Sequence, residues 1–236
     1  MIPLRDENPT RTKPYIVYVV VLLNILVYLY NGPLDPHGNR LSAYMLIPRE
    51  LTRGSSLGAY PAVAPWFTIF TAMFMHANPL HIAGNMLYLW IFGNNIEDVL
   101  GHAKFLFFYL VAGLVAALAQ VYMSPVSNIP MIGASGAVAG VLGAYLILFP
   151  RARVLTLVFI VFFIQVVALP AELVLGFWIV LQVLNGVLSP VTQGGVAYAA
   201  HVGGFAAGVA MIMIMGGRRR IGNLRSVDYD GGGWYR

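Results

Sequence analysis

The sequence predicts an all-α membrane protein, a bundle of six transmembrane helices with both termini in the cytoplasm. Of its 236 residues, 59% are hydrophobic and only 10% are charged, whereas soluble domains carry about a quarter charged residues. Long apolar runs recur along the chain, close to the length of about 17–25 residues that a membrane crossing needs. The net charge of +5 comes from residues near the ends of those runs. We therefore expect the lipid bilayer, and not nucleic acid, as a partner.

The elements follow in chain order. A cytoplasmic N-terminus over 1–13 precedes a membrane domain over 14–215, and a basic and then Gly-rich tail over 216–236 has the composition of a disordered segment. The first apolar run is long for the core of a signal peptide, and no Ala-x-Ala-like site follows it, so we interpret it as a retained helix. The predicted spans are 14–30, 80–100, 103–123, 135–149, 172–187 and 199–215.

Two regions between these spans need separate treatment. Turn residues are concentrated in 31–65, which we interpret as a long loop. The region 154–188 contains two apolar runs that are separated around Pro170. The β-branched and aromatic run Val154–Leu169 is predicted to lie at the interface or against the bundle, and Glu172–Val187 is predicted to span.

Parity and charge asymmetry both favour six crossings. Ser135 and His201 stand at the starts of two predicted helices and can meet only if those helices are parallel, which requires an odd number of crossings between them. With the N-terminus in the cytoplasm, cytoplasmic segments hold eleven of the fourteen Lys and Arg residues, as the positive-inside rule predicts. The far side holds Arg40, Arg49 and Arg53. This topology places Ser135 and His201 toward the outer face.

Ser135 is the first candidate for chemistry, within a Gly-Ala-Ser-Gly sequence that begins at Gly133. Taken alone, a serine at a helix start is most simply an N-cap. The same position suits a nucleophile, because the unpaired N–H groups of the first turn can stabilise an oxyanion and small neighbours let a peptide carbonyl approach. The backbone of Gly133 is a further candidate for contacting that oxyanion.

His201 is the candidate general base. A single intramembrane histidine is more often a hydrogen-bonded packing residue, so its surroundings matter. Ser135 and His201 are each followed by glycines on their own helical face, which are Gly136, Gly140, Gly204 and Gly208. Either glycine pair alone indicates helix packing. Together they allow two backbones to come close enough for a serine hydroxyl to reach an imidazole.

His81 and Asn85 lie four residues apart on one face of the second predicted span. They can simply bond a neighbouring helix. Alternatively, their side chains complete an oxyanion hole together with the backbone N–H of Ser135. Of the remaining histidines, His76 is predicted to cap or line the site, and His37 and His102 to lie at the surface.

No carboxylate is placed to orient His201, so a Ser-His dyad is predicted and not a triad. The acids nearest the membrane stand at cytoplasmic span ends or in the long loop, at Glu97, Asp98, Glu172, Asp35 and Glu50. Histidines without a neighbouring acid make a thin metal-ligand set, and the chain has no cysteine. We therefore expect neither a metal nor another cofactor.

Taken together, these motifs resemble those of the rhomboid family of intramembrane serine proteases over about residues 66–208. The stretch Phe92–Asp98 with Gly101 also resembles the family's junction between the second and third spans. The matching positions are His81 and Asn85 for His-x-x-x-Asn, Gly133 to Gly136 for Gly-x-Ser-x, and Ala200, His201, Gly204 and Gly208 for Ala-His-x-x-Gly-x-x-x-Gly.

The resemblance implies a six-helix bundle whose active site lies in a water-filled cavity open to the outer face. It implies Ser135 as nucleophile, His201 as base, an oxyanion site from His81, Asn85 and the Ser135 N–H, and single-pass membrane proteins as substrates. The chain departs from the family at Ala139, where some relatives carry a tyrosine that stacks on the histidine. The Trp-Arg pair of the family's first loop is not evident either.

Two other functions are compatible with parts of this pattern. A catalytically inactive rhomboid-like protein would bind transmembrane clients, although such proteins usually lose the serine, the histidine or both. A small transporter would need polar groups at mid-membrane, but the spans have few, the main ones being Asn24, Gln165 and Gln182. A compact chain of this kind suits the bacterial inner membrane.

Overall fold

The protein is mostly helical in the computed structural model, which describes residues 1–31, 42–54, 63–160, 163–188 and 196–217. Short 3₁₀ turns are formed by Ser42–Tyr44 and Ala72–Phe74. Three strands are described, which are β1 (Ile2–Asp6), β2 (Arg153–Ile160) and β3 (Phe163–Pro170). The α-helices within these residues are α1 (Tyr15–Asn31), α2 (Pro48–Arg53), α3 (Thr68–Thr71), α4 (Pro79–Leu100), α5 (His102–Met123), α6 (Ser135–Leu148), α7 (Ala171–Leu188) and α8 (Tyr198–Ile214).

The six long helices begin and end within one residue of the six predicted spans. This agreement follows from the long apolar runs that produce them. Among the described helices, α5 and α7 are long and apolar enough to cross a membrane, and α1, α6 and α8 are shorter apolar helices. The segment predicted as a loop over 31–65 contains the short helix α2, and its residues 32–41 and 55–62 lie outside the described part of the chain.

The fold is mostly helical, as predicted, but it is not all-α, because β1, β2 and β3 form an antiparallel sheet in that order. Strands β2 and β3 make a hairpin in which Val154 pairs with Leu169 and Phe159 with Ile164. Val154 is fully buried in the main core, whereas Phe159 and Ile164 are exposed. Side chains that alternate between faces, together with β-branched residues, favour an extended chain here. The run therefore lies against the bundle as a hairpin.

Helix α6 occupies the centre of the bundle and is buried along most of its length. A Cβ at Gly136 would lie 2.5 Å from the Cβ of Ala116 on α5. On the other side, Gly204 faces the backbone of Gly136, and Gly208 faces that of Gly140. These pairings increase together along both chains, so α6 and α8 run parallel with their backbones in contact.

Two acids, Glu97 of α4 and Asp6 of β1, hold the N-terminal segment to one end of the bundle. Glu97 of α4 is fully buried and accepts from the N–H groups of Ile16 and Val17, each at 2.9 Å, which satisfies the first turn of α1. At the same end, Asp6 of β1 accepts from the Tyr145 hydroxyl at 2.6 Å. Burial raises the pKa of Asp6 to about 6, although this hydrogen bond acts in the opposite direction.

Candidate active site

The structure brings Ser135 and His201 together. Ser135 is the first residue of α6, and His201 lies in the first turn of α8. The hydroxyl Oγ of Ser135 is 2.8 Å from Nε2 of His201, within hydrogen-bonding distance, and the imidazole residue is only 8% exposed. The parallel packing of the two glycine faces is what allows both helix starts to lie side by side.

Backbone hydrogen bonds hold the loop that leads into Ser135. Met131 and Leu46 form an isolated bridge, with N···O distances of 2.7 and 3.3 Å. Two residues later, the N–H of Gly133 donates to the carbonyl of Ala72 at 2.9 Å. Because these partners are remote in sequence, no local motif indicates them. Hydrogen bonds to residues far away in the sequence therefore hold this loop in place just before α6 begins.

The bond to Ala72 changes the role expected for Gly133. Its N–H already has an acceptor, so it is not an additional oxyanion donor. Instead, Gly133 leaves room for the side chains of His81 and Asn85 because it has no Cβ. A Cβ at this position would lie 2.8 Å from Nε2 of His81 and 3.7 Å from Nδ2 of Asn85. Its φ of +126° is also in a region that non-glycine residues rarely adopt.

His81 and Asn85 both face this space beside Gly133. The side chain of Asn78 accepts from the N–H of His81 at 2.9 Å and so caps the start of α4. The N–H of Ala77 approaches Nδ1 of His81 at 3.4 Å, which makes Nδ1 an acceptor and leaves the proton of the neutral ring on Nε2. Nδ2 of Asn85 is buried and has no hydrogen-bond partner among the described residues. Two donors therefore converge beside Gly133, two residues before Ser135.

The far side of the His201 ring contacts α7. Nδ1 of His201 lies 2.7 Å from Oε1 of Gln182, and the Trp178 ring stands 5.7 Å away, centroid to centroid, at 37°. Ala139, where a stacking tyrosine was considered, is fully buried in α6. From the sequence, Gln182 is only a polar residue at mid-membrane with no predicted part in this site. Only its isolated polarity could have singled it out.

The start of α8 is held by a further polar side chain that the sequence analysis missed. Gln120, near the end of α5, accepts through Oε1 from the N–H of Ala200 at 3.3 Å. First-turn N–H groups have no partner within their own helix. The bond ties the residue that precedes His201 to α5, so that α5 supports both members of the pair.

Of the remaining histidines, the structure describes His76 and His102. His76 is buried, its ring centroid is 5.0 Å from that of His81, and burial, with a smaller effect of His81, lowers its pKa to about 4. His102 is half-exposed and paired with Glu97, and His37 lies outside the described residues. No group of three or more His, Cys, Asp or Glu side chains in the described ranges is arranged to hold a metal ion.

A cavity of about 1580 Å³ opens over these residues. Its lining includes Ser135, His201, His81, Asn85 and Gln182. The walls are mainly apolar, with the polar groups converging at the serine, which is the usual organisation of a binding site. The cavity is large enough to hold an extended stretch of polypeptide next to the Ser135 hydroxyl.

Comparison with known proteins points to one family. The family model for the Rhomboid domain matches residues 64–218, more than half of the chain. The rhomboid protease GluP of Bacillus subtilis is 32% identical over 134 residues, which are 57% of this chain and 24% of that protein. Rhomboid protein 1, mitochondrial, of Saccharomyces cerevisiae is 30% identical over 202 residues, which are 82% of this chain and 51% of that protein.

A further bacterial relative agrees with these two. The rhomboid protease AarA of Providencia stuartii is 30% identical over 145 residues, which are 54% of this chain and 48% of that protein. The chain spans about a quarter of the first relative and about half of the other two. Since the family match covers every motif residue from His81 to Gly208, the chain belongs to the rhomboid family.

Proposed function

We propose that this protein is an intramembrane serine endopeptidase that cleaves single-pass transmembrane proteins near the outer face of the membrane. The observation that carries the proposal is the 2.8 Å contact between Oγ of Ser135 and Nε2 of His201. A serine becomes a useful nucleophile when an adjacent base accepts its proton. Two relatives, GluP and AarA, are named rhomboid proteases, which supports the same activity.

The reaction begins when Nε2 of His201 takes the Ser135 proton and Oγ attacks the carbonyl carbon of a substrate peptide bond. The tetrahedral intermediate collapses as the imidazolium gives that proton to the leaving amine, which leaves an acyl-enzyme ester on Ser135. Water then attacks the ester with His201 as base, and the same steps release the acid product. No carboxylate takes part in this dyad mechanism.

The negative charge of the intermediate needs donors that are already in place. We assign this role to Nε2–H of His81, to Nδ2 of Asn85 and to the N–H of Ser135 at the start of α6. The amide nitrogen of Asn85 is buried and has no partner among the described residues. It is therefore a donor that is available before the substrate binds. The hydrogen bonds from such donors become stronger as the carbonyl oxygen becomes an oxyanion, so they stabilise the transition state more than the substrate.

The proposed topology has six crossings, by α1, α4, α5, α6, α7 and α8, with both termini in the cytoplasm. It places the dyad toward the outer leaflet, and a substrate helix must unwind there because helical amides are hydrogen-bonded. Small or helix-breaking substrate residues should therefore be favoured. α7 is the candidate gate, since its described buried residues are confined to its first turns.

The comparisons do not single out one cellular membrane for this protein. Similar proteins are named from bacteria, mitochondria and chloroplasts. Family membership thus supports a multi-pass protein of the bilayer, and the bacterial inner membrane stays a prediction. Lipid and transmembrane substrates are the partners that the proposal needs.

The alternative is a catalytically inactive rhomboid-like protein that binds transmembrane clients. The test is turnover of a panel of single-pass substrates by purified protein, together with labelling by a fluorophosphonate probe. Ser135→Ala and His201→Ala should each abolish turnover in a folded protein, and Ser135→Ala should abolish labelling. Gly176→Ala is the control and should behave as the wild type, because a Cβ there has no neighbour within 4 Å. Client binding without turnover or labelling would establish the alternative.

A further inference from the structure

We infer that Gln182 is the positioning residue for His201, so that the Ser-His dyad is oriented by a neutral side-chain amide. This inference rests on the proposed function, because it gives the imidazole the role of a base. Oε1 of Gln182 lies 2.7 Å from Nδ1 of His201, on the opposite side of the ring from Ser135. The three polar groups therefore form one continuous hydrogen-bonded line.

The orientation of the Gln182 amide follows from its second contact. Its Nε2 faces the carbonyl oxygen of Trp178, one turn earlier on α7, at 3.5 Å. A carbonyl can only accept a hydrogen bond, so the NH₂ group belongs on that side. The amide oxygen is then the atom directed at His201, where it accepts from an N–H.

This direction determines which imidazole tautomer is present. With Oε1 accepting, the proton of neutral His201 resides on Nδ1, and Nε2 presents its lone pair to the Ser135 hydroxyl. The reverse amide orientation would donate to Nδ1 and place the proton on Nε2. The ring would then donate to Ser135 and could not act as its base. Gln182 thus selects the reactive tautomer without carrying a charge.

Trp178 supports the same arrangement by packing. Its ring stands at 5.7 Å from the His201 ring and at 6.4 Å from the ring of Phe205, with which it stacks at 29°. The imidazole is therefore restrained by a ring from α7 and by a hydrogen bond from the same helix. Ala139 of α6, in contrast, carries only a methyl group and no ring that could stack on the imidazole.

Because both groups belong to α7, the base is oriented by the helix that is the candidate gate. The buried residues of α7 are Ala171, Val174 and Leu175, all before Trp178. The half of α7 that carries Gln182 is thus held less firmly than its start. Movement of that half away from α8 would remove the acceptor from His201, so that the reactive tautomer is favoured only while α7 is in place.

The test compares three variants of the full chain, and a fourth serves to assign the spectra. Gln182→Met keeps the length of the side chain but has only a weakly accepting thioether, and Gln182→Glu keeps an oxygen acceptor. Asn185→Leu is the matched control, since Asn185 is an exposed amide on the same helix. Turnover of one substrate gives kcat and KM, thermal unfolding reports folding, and ¹⁵N spectra of histidine-labelled protein report which ring nitrogen carries the proton. His201→Ala identifies the His201 resonances.

We expect Gln182→Met to lower kcat by about 10- to 100-fold, the loss that follows removal of the partners that orient metal-bound histidines. Its His201 spectrum should lose the Nδ1–H tautomer preference, and Gln182→Glu should restore both kcat and that preference. A folded Gln182→Met protein with unchanged kcat and spectrum overturns the inference. So does a lower kcat with an unchanged tautomer, since that would mean only a packing role. If the wild type has no Ser135-dependent turnover, the proposed function fails, while the spectra still test the contact.

Discussion

Replacing Gly204 by alanine tests whether the glycine faces of α6 and α8 create the active site. A Cβ at Gly204 would overlap the carbonyl oxygen of Gly136 and stand 3.0 Å from its carbonyl carbon. Backbone atoms cannot rotate aside, so the helices must separate by about 1 Å to restore van der Waals distances. His201 lies three residues before Gly204, and Ser135 directly precedes Gly136. Their 2.8 Å hydrogen bond would lengthen to about 3.8 Å, beyond the usual limit.

The expected result is a loss of about 10²-fold in kcat, which a misplacement of about 1 Å at a reacting pair can cause. Overpacking should also lower the free energy of unfolding by about 1–3 kcal/mol. Fluorophosphonate labelling rates, substrate turnover and thermal unfolding measure these effects. Gly176→Ala on α7 is the control, because a Cβ there has no neighbour within 4 Å. It should leave labelling and turnover unchanged.

The reasoning would be refuted if Gly204→Ala labelled at the wild-type rate with an unchanged melting temperature. That outcome would mean that α6 and α8 can accommodate a methyl group between their backbones without moving Ser135 away from His201. A lower melting temperature with unchanged labelling would also refute it, because the strain would then relax elsewhere. Only combined loss of labelling and stability agrees with a contact that holds the dyad.

Three further predictions concern the oxyanion site, the N-terminal sheet and α7. Asn85→Ala should lower kcat by about 10²–10³-fold with little change in melting temperature, and equal turnover would remove Asn85 from the oxyanion site. Because the pKa of Asp6 is raised from 3.8 to about 6, the native state binds this proton more tightly than the unfolded chain. Stability should therefore fall as pH rises from about 4 to 6 and level off above, and Asp6→Asn should flatten the melting temperature against pH. A Cβ at Gly186 of α7 would lie 3.1 Å from the Cβ of Tyr198 of α8. Cysteines at these two positions can therefore form a disulfide, and the chain has no other cysteine. This disulfide should slow cleavage of transmembrane substrates more than labelling by a small probe. Equal slowing of both, or recovery of neither on reduction, would contradict gating by α7.

The extents of the helices could be predicted because they depend on local composition. Six apolar runs, bounded by turn residues, correspond to α1, α4, α5, α6, α7 and α8 within one residue at each end. The sheet could not be predicted in the same way. Val154–Leu169 is apolar on both faces, so it lacks the polar alternation that distinguishes a half-buried strand. Its partner β1 lies about 150 residues earlier in the sequence, beyond the range of any local pattern.

Motif spacing also selected the residues of the candidate site. Ser135 and His201 were chosen because each opens a helix and is followed by glycines on its own face, and the structure brings them within 2.8 Å. His81 and Asn85 were chosen from their shared helical face, and both lie beside Gly133. The expectation that the backbone N–H of Gly133 would serve as a donor did not allow for its bond to Ala72.

By itself, the sequence determined the helices, their apolar character and the residue types available for hydrolysis, because these depend on neighbours within a few turns. Only the tertiary structure decided what completes the site. The Gln182–His201 and Gln120–Ala200 bonds join different helices, and the Ala72–Gly133 bond joins a short turn to a loop. Such contacts depend on the rotation of each helix about its own axis and on its position along the bundle relative to the other helices. Those are set by the packing of the whole bundle, through glycines that let backbones touch, and not by any single segment.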